Sequence, residues 1–146
     1  MKERMVDEEI SLVPYYPNEE VSLPWYQDLE LCKQVDNIDF VYTSERLNKM
    51  NNFLSTHGDC YYIQFKGTLV GDVTLQESGE ISIVVCKEYQ NQHIGRRCVL
   101  NILELAREKG LEKVTASIYS FNSQSRKMFE SLGFIPVSEE NYKYKL

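Results

Sequence analysis

A basic, glycine-containing turn at the start of a helix is the segment of this sequence best suited to bind a ligand. Residues 89–97 read YQNQHIGRR and lie between an apolar strand and an amphipathic helix. Cations in the first helical turn oppose the helix dipole, at a cost of roughly 0.3–1 kcal/mol each. These cations are accounted for if an anion binds to the backbone N–H groups of residues 93–97. Arg96 and Arg97 would then lie on either side of the anion, and Gly95 would allow its close approach. The alternative is an exposed basic turn without a ligand.

Other common ligand-binding signatures are absent. Neither G-x-x-x-x-G-K-S/T nor G-x-G-x-x-G occurs in the chain, which argues against nucleotide hydrolysis and hydride transfer. The cysteines have no C-x-x-C spacing and the two histidines are far apart in sequence, so no metal site is expected. Reduced thiols and a cytoplasmic location are the simplest expectation.

The elements that position the basic turn follow from the apolar periodicity of the chain. We expect helices within residues 19–52, at 95–109 and after Asn122, with Ser44 and Asn122 as N-caps. The expected strands are 10–15, 60–65, 68–75, 80–86, 113–119, 134–137 and 142–146. Residues 80–119 form a strand–helix–strand unit that is long enough for a right-handed parallel crossover.

Composition limits the class of protein. The 146 residues include 42% hydrophobic and 26% charged side chains, typical of one globular domain, here residues 1–146. A net charge of -6 disfavours nucleic acid as a partner and suits a cation such as an amine. No apolar run is long enough to cross a membrane, and the charged start lacks a secretion signal.

Two segments resemble the motifs of the GNAT superfamily of N-acetyltransferases. The acyl-CoA-binding pattern Gln/Arg-x-x-Gly-x-Gly/Ala matches residues 90–95, QNQHIG, with His93 in place of the first glycine. Residues 122–134, NSQSRKMFESLGF, match a second family pattern of Asn, a small residue, an aromatic residue and Gly-Phe. The resemblance implies an α/β (α+β) fold with a mixed, mostly antiparallel twisted sheet, a central parallel strand pair and flanking helices.

The resemblance also implies a site for acetyl-CoA, without a metal. The pantetheine arm would lie between the strand ending at Cys86 and its parallel neighbour, with the diphosphate on the basic turn. The N–H near Val85 would stabilise the negative charge that develops on the thioester oxygen. The residues implied to bind the coenzyme are Val84, Val85, Cys86, Gln90, Gln92, His93, Ile94, Gly95, Arg96, Arg97, Asn122, Ser125 and Phe129.

The implied reaction is direct transfer of acetyl to a primary amine of a small molecule, peptide or protein. Phe129 stands where many relatives have a tyrosine that protonates the departing thiolate. Tyr119 could replace that acid, or could be a half-buried sheet tyrosine. Cys86 could support a covalent route, but no histidine lies nearby in sequence to activate it.

A base should deprotonate the acceptor amine. Other residues should bind the acceptor and hold it in place. Asp72, Glu77 and Glu80 are candidate bases, although each is also typical of an exposed strand edge or turn. The expected catalytic residues are Val85, Glu80 and Tyr119. The expected acceptor contacts are Trp25, Tyr26, Asp28 and Asp72. Trp25 could equally anchor its helix in the core.

Two alternative functions and one possible assembly remain open from the sequence. The chain could be a catalytically weak acyl-CoA-binding sensor or regulatory module, because Phe129 and His93 depart from the family pattern. A phosphate-binding domain unrelated to CoA is a further alternative. Strand edges near the C-terminus could support a homodimer.

Overall fold

Eight strands and five α-helices make up the chain, and the computed structural model describes all of residues 1–146. The strands are β1 (Arg4–Met5), β2 (Ile10–Pro14), β3 (Gly58–Phe65), β4 (Thr68–Gln76), β5 (Ile81–Val85), β6 (Lys113–Ser117), β7 (Ile135–Pro136) and β8 (Asn141–Lys145). The helices are α1 (Glu19–Ser22), α2 (Leu29–Asp36), α3 (Ser44–His57), α4 (Ile94–Glu108) and α5 (Ser123–Ser131). Short 3-10 helices occupy Leu23–Gln27 and Lys87–Tyr89. The predicted order from β3 onward is observed, whereas β1 and the division of residues 19–36 into α1, a 3-10 helix and α2 were not predicted.

The strands form two sheets that meet at one point. β1 to β5 make an antiparallel sheet in chain order, and β6, β8 and β7 make a second antiparallel sheet in that order. A parallel bridge between Glu80 and Thr115 joins them, and the Thr115 N–H donates to the Gly79 carbonyl at 2.9 Å. No ladder pairs join β5 to β6 beyond this bridge. The predicted parallel pair thus separates after its first contact and leaves a groove.

Helix α4 makes the crossover between these two strands. Its predicted apolar stripe is buried: Cys98, Val99, Ile102, Leu103 and Ala106 are all in the core. The same apolar cluster includes residues of both sheets, because one helix packs across the line where they meet. The extent of the domain, residues 1–146, stays a prediction. None of the helices is long and apolar enough to span a lipid bilayer.

The N-caps of α3 and α5 were predicted from the sequence, and the structure shows which residues fill them. The Asn122 side chain accepts a hydrogen bond from the Ser125 N–H at 3.2 Å, which confirms the predicted cap of α5. The predicted Ser44 cap of α3 is wrong by one residue. Thr43 has the extended backbone that a cap requires, and its hydroxyl accepts from the Arg46 N–H at 3.2 Å.

Candidate active site

The turn before α4 has a backbone that few non-glycine residues adopt. Asn91 and His93 have φ values of 65° and 60°, and His93 is the N-cap of α4. Residues of this conformation beside right-handed ones turn successive N–H groups toward one point, which makes an anion-binding concavity. His93 therefore occupies the position of the motif's first glycine in a conformation that glycine adopts without strain.

Replacing His93 with glycine should relieve this strain. A left-handed backbone costs a residue with a Cβ about 1–2 kcal/mol, and the greater freedom of glycine in the unfolded chain offsets part of the gain. We expect His93→Gly to raise the free energy of unfolding by up to about 1 kcal/mol without weakening acetyl-CoA binding. Chemical unfolding and calorimetric titration measure the two quantities. A clear loss of stability would mean that the imidazole makes a stabilising contact that outweighs the strain.

The two arginines of the turn have different environments. Arg96 lines a cavity beside the turn and forms no ion pair. Arg97 contacts Asp7 and Glu9 at 2.9 Å each, so its charge is already neutralised by the N-terminal segment. Its guanidinium also donates to the Gln92 carbonyl at 3.2 Å. Arg97 is thus paired within the protein, and neither Arg97 nor Gln92 lines the cavity, so the predicted contacts of the Arg97 guanidinium and the Gln92 N–H with the diphosphate stay predictions.

Single substitutions should separate these roles. Arg97→Ala should lower the melting temperature by about 3–6 °C, because two ion pairs are lost from a partly buried site. Arg96→Ala should leave the melting temperature nearly unchanged and weaken acetyl-CoA binding about tenfold, because one charge-assisted contact is lost. Thermal unfolding and calorimetric titration of both variants provide the check. The reverse pattern would return Arg97 to the binding site.

A cavity of about 290 Å³, called the loop cavity below, lies between the turn, β5, α2 and α5. Most of the residues predicted to bind the coenzyme line it. They are Val84, Val85, Gln90, His93, Ile94, Gly95, Arg96, Asn122 and Ser125. The loop cavity is thus built by the two sequence motifs together, although they are separated along the chain.

The backbone of Cys86 is engaged within the protein. Cys86 does not line the loop cavity, its N–H donates to the Val70 carbonyl at 2.8 Å, and its carbonyl accepts from the Tyr89 N–H. The sheet and the following 3-10 turn use these backbone groups, and the binding of the coenzyme by Cys86 stays a prediction. Burial raises the pKa of the Cys86 thiol, which disfavours the thiolate needed for a covalent route.

The backbone of Val85 faces the groove between the sheets. Hydrogen-bonded pairs alternate along an antiparallel ladder, and Cys86 donates to β4 through its N–H. The N–H and C=O of Val85 therefore point away from β4, toward β6. The Gln90 side chain donates to the Val85 carbonyl at 3.0 Å, in agreement with this direction. The N–H remains available as the donor that the sequence predicts.

A larger cavity of about 610 Å³, the central cavity, continues from the loop cavity into the middle of the molecule. The two share residues of β5, α2 and α5, among them Val84, Asn122 and Ser125. The predicted residues that line the central cavity alone are Tyr26, Asp72, Glu80, Tyr119 and Phe129. The groove therefore leads from a basic turn at its outer end to carboxylates and aromatic rings at its inner end.

Asp72 is the carboxylate that the fold buries in this cavity. Only 6% of the residue is exposed. Burial raises the pKa of Asp72 from 3.8 to about 6, and a hydrogen bond from Tyr26 partly opposes this rise. In the sheet, Asp72 pairs directly with Val84. Its side chain is thus one strand away from the backbone that presents the Val85 N–H.

The other carboxylates are less suited to be the base. Both oxygens of Glu80 are engaged, by the Gln76 amide at 3.0 Å and the Ser117 hydroxyl at 3.3 Å. Glu77 lies in an exposed turn and lines neither cavity. The sequence did not distinguish Asp72, Glu77 and Glu80 as candidate bases, because their burial depends on tertiary packing.

Two residues predicted to contact the acceptor, Trp25 and Asp28, line neither cavity, and their contact with the acceptor stays a prediction. Trp25 packs edge-on against Tyr62, with ring centroids 6.2 Å apart, and lines neither cavity. Asp28 caps α2 by accepting from the Leu31 N–H at 3.0 Å. Both have local structural roles. One wall of the central cavity comes from α3 and the segment just before it, including Tyr42, Met50 and Phe53. Only the apolar spacing of α3 could have indicated this wall.

The aromatic residues at the inner end are fixed by packing. Phe129 is buried against Phe134 in a T-shaped pair with centroids 5.0 Å apart. Tyr119 stacks on Phe121 at 5.6 Å. Tyr119 therefore contributes a hydroxyl-bearing ring to the central cavity, which Phe129 also lines. No group of three or more His, Cys, Asp or Glu side chains is arranged to hold a metal ion.

Comparison with known proteins agrees with this architecture. Residues 22–134 match the sequence model of the acetyltransferase (GNAT) family. Human N-acetyltransferase 8 is 27% identical over 124 residues, which cover 76% of this chain and 50% of that protein. This chain thus spans about half the length of that curated relative.

Solved structures share the fold. A GNAT-family acetyltransferase from Bacillus anthracis has a TM-score of 0.76 at 18% identity, covering 95% of each chain. The microcin C7 self-immunity acetyltransferase MccE, in complex with acetyl-CoA and AMP, has a TM-score of 0.75 at 14% identity, covering 97% of this chain and 94% of its own. At these identities the likeness establishes the fold.

Proposed function

The chain belongs to the GNAT family of acetyltransferases, and on that premise we propose that it transfers acetyl directly to a primary amine. It is an acyltransferase, and acetyl-CoA is its co-substrate. The amine belongs to a small molecule or to a peptide or protein. One observation carries the proposal: a buried carboxylate, Asp72, lies in the central cavity beside the strand that presents the Val85 N–H.

The residues of the loop cavity fit acetyl-CoA. The left-handed turn at His93 offers backbone N–H groups to a diphosphate, and Arg96 adds an unpaired positive charge. The divergence of β5 from β6 leaves the N–H of Val85 free to bind an amide-containing arm. Asn122 and Ser125 border both cavities. When bound, acetyl-CoA supplies the acetyl thioester.

Asp72 is proposed as the general base. With a pKa of about 6, most of its carboxylate is ionised at neutral pH and can accept a proton from the substrate ammonium group. The neutral amine nitrogen then forms a bond to the acetyl carbon, and the Val85 N–H stabilises the charge that develops on the carbonyl oxygen. As the carbon–sulfur bond breaks, the nitrogen loses its second proton to the thiolate or to solvent.

The leaving group needs little help from the protein. A thiol has a pKa of about 8.5, so its thiolate leaves readily near neutral pH. Phe129 cannot donate a proton, and we assign Tyr119 as the candidate acid because its ring borders the central cavity. General acid assistance of this kind is typically worth about 10²–10⁴-fold in rate.

The charge of the central cavity favours a cationic acceptor. Four carboxylates line it, and two cations do so: Arg46 contacts Asp36, and Lys49 contacts Glu45. Aromatic rings, such as Tyr42 and Phe53, border the same space and suit an ammonium group. The acidic excess agrees with the net charge of the whole chain. The cytoplasmic location and the homodimer stay predictions.

An amine panel tests the proposed function. Purified protein is incubated with acetyl-CoA and polyamines, arylalkylamines, amino acids or peptides with free N-termini, and thiol release is measured together with acetylated product. We expect at least one primary amine to support release above the rate of hydrolysis. Tight binding of acetyl-CoA with no release under any amine would instead favour the acyl-CoA sensor.

A further inference from the structure

The Asp72 carboxylate has one hydrogen-bond donor among the side chains of the chain. The Tyr26 hydroxyl donates to Asp72 Oδ2 at 2.6 Å, and both residues are buried. A hydrogen bond between a hydroxyl and an ionised carboxylate is short and about twice as strong as one between neutral groups. Because a carboxylate can rotate about its last bond, this contact decides which oxygen faces the cavity.

Tyr26 is itself held on several sides. Its backbone carbonyl accepts from the Tyr42 N–H at 3.0 Å and from the Cys32 thiol at 3.0 Å. Its ring packs against the ring of Tyr42, with centroids 4.9 Å apart. The phenol belongs to the 3-10 helix at Leu23–Gln27, which comes from a distant part of the chain. The hydroxyl is therefore presented to Asp72 by a rigid support.

We propose that Tyr26 is a positioning residue, whose hydroxyl holds the Asp72 carboxylate in one orientation toward the acceptor amine and stabilises its ionised form. This inference rests on the proposed function, in which Asp72 is the base. Tyr26 was expected from the sequence to contact the acceptor. Its hydroxyl is instead engaged by the carboxylate, and the residue acts on the acceptor through Asp72.

The charges around Asp72 agree with this role. Tyr15, just after β2, and Cys60 and Tyr62, in β3, lie near it and are neutral at physiological pH, since burial raises the pKa of each. The charged groups around the central cavity are Asp36, Arg46, Lys49, Glu80 and Glu140. None of these groups donates a hydrogen bond to Asp72. Without the Tyr26 hydroxyl, burial would raise the pKa of Asp72 further.

The test is the pH profile of kcat/KM for Tyr26→Phe. Loss of a hydrogen bond to a charged group should move the acid limb from near pH 6 upward by about one unit. The plateau above the limb should fall about tenfold, because the carboxylate is no longer oriented. Tyr62→Phe is the matched control: that buried hydroxyl donates to the Tyr16 carbonyl at 2.7 Å and lines neither cavity. Its acid limb should stay in place.

A double-mutant cycle separates the failure of this inference from that of the proposed function. In an Asp72→Asn background, Tyr26→Phe should cause no further loss of kcat, because both changes act on one group. An unshifted limb in Tyr26→Phe, or losses that multiply in the cycle, would overturn the positioning role while leaving Asp72 as the base. Full activity of Asp72→Asn alone would overturn the base assignment. Thermal unfolding and acetyl-CoA binding of each variant verify that the fold is retained.

Discussion

Asp72→Asn should lower kcat by about 10²–10⁴-fold and should also stabilise the folded protein above pH 6. The rate falls because asparagine cannot accept a proton from the ammonium group. It can still accept the Tyr26 hydrogen bond, so the geometry of the cavity is preserved. If replacing Asp72 lowers the rate and raises stability, then the carboxylate serves catalysis at a cost in folding stability.

The direction of the stability change follows from the pKa of Asp72. The pKa of Asp72 is about 6 in the folded protein and about 3.8 in the unfolded chain, so the folded state binds more protons between these pH values. The wild-type free energy of unfolding therefore decreases as pH rises from about 4 to 6, and the full penalty persists above pH 6. The difference between these two pKa values corresponds to about 3 kcal/mol, which is an upper bound for the gain in the free energy of unfolding of the variant.

Paired measurements decide this prediction. Thiol release gives kcat, and urea unfolding at pH 5 and pH 8 gives the stability of wild type and variant. The acid limb near pH 6 in wild-type kcat/KM should be absent in Asp72→Asn. Glu77→Gln, which removes a carboxylate outside both cavities, should match wild type in rate. A larger loss in Glu80→Gln than in Asp72→Asn would transfer the role of base to Glu80.

Gly95→Val should weaken acetyl-CoA binding by at least about tenfold, or about 1.4 kcal/mol, while the stability of the protein changes little. A Cβ at Gly95 would meet only Met128, Ile83 and Val85, at 3.8–4.0 Å, which are ordinary contacts. The fold therefore has room for a Cβ there. These atoms border the loop cavity, so the added carbons would occupy the space that the ligand needs.

A graded series makes the Gly95 prediction sharper. Affinity should decrease from glycine to alanine to valine, and the melting temperature should not fall with it, since glycine is the poorer residue inside a helix. Leu100→Val, on an exposed part of α4, is the control for a β-branched residue in the same helix and should bind acetyl-CoA normally. Parallel losses of stability and affinity along the series would mean that Gly95 is only structural.

Local signals in the sequence were sufficient for most of the fold. The buried stripe of α4, the Asn122 cap and the meander of β3, β4 and β5 depend on neighbours within a few residues along the chain. The loop cavity was also predictable, because its two motifs occupy consecutive parts of a strand–helix–strand–helix sequence. Such features are encoded by periodicity and capping chemistry.

The sequence did not indicate the environment of residues whose partners are distant along the chain. Arg97 has the same local context as Arg96, and only the return of residues 7–9 to the start of α4 distinguishes the two arginines. Likewise, Asp72 differs from Glu80 through burial beneath Tyr26. A strand pattern indicates which residues share a face, but not which of them another element will cover.

A crystal structure with bound acetyl-CoA tests the central claim most directly. We predict that the diphosphate binds to the N–H groups at the start of α4 and that the pantetheine arm lies between β5 and β6. The thioester oxygen should lie within hydrogen-bonding distance of the Val85 nitrogen. The acetyl carbon should face the central cavity on the side of Asp72. Coenzyme bound elsewhere, or an acetyl group separated from Asp72 by the sheet, would contradict the account.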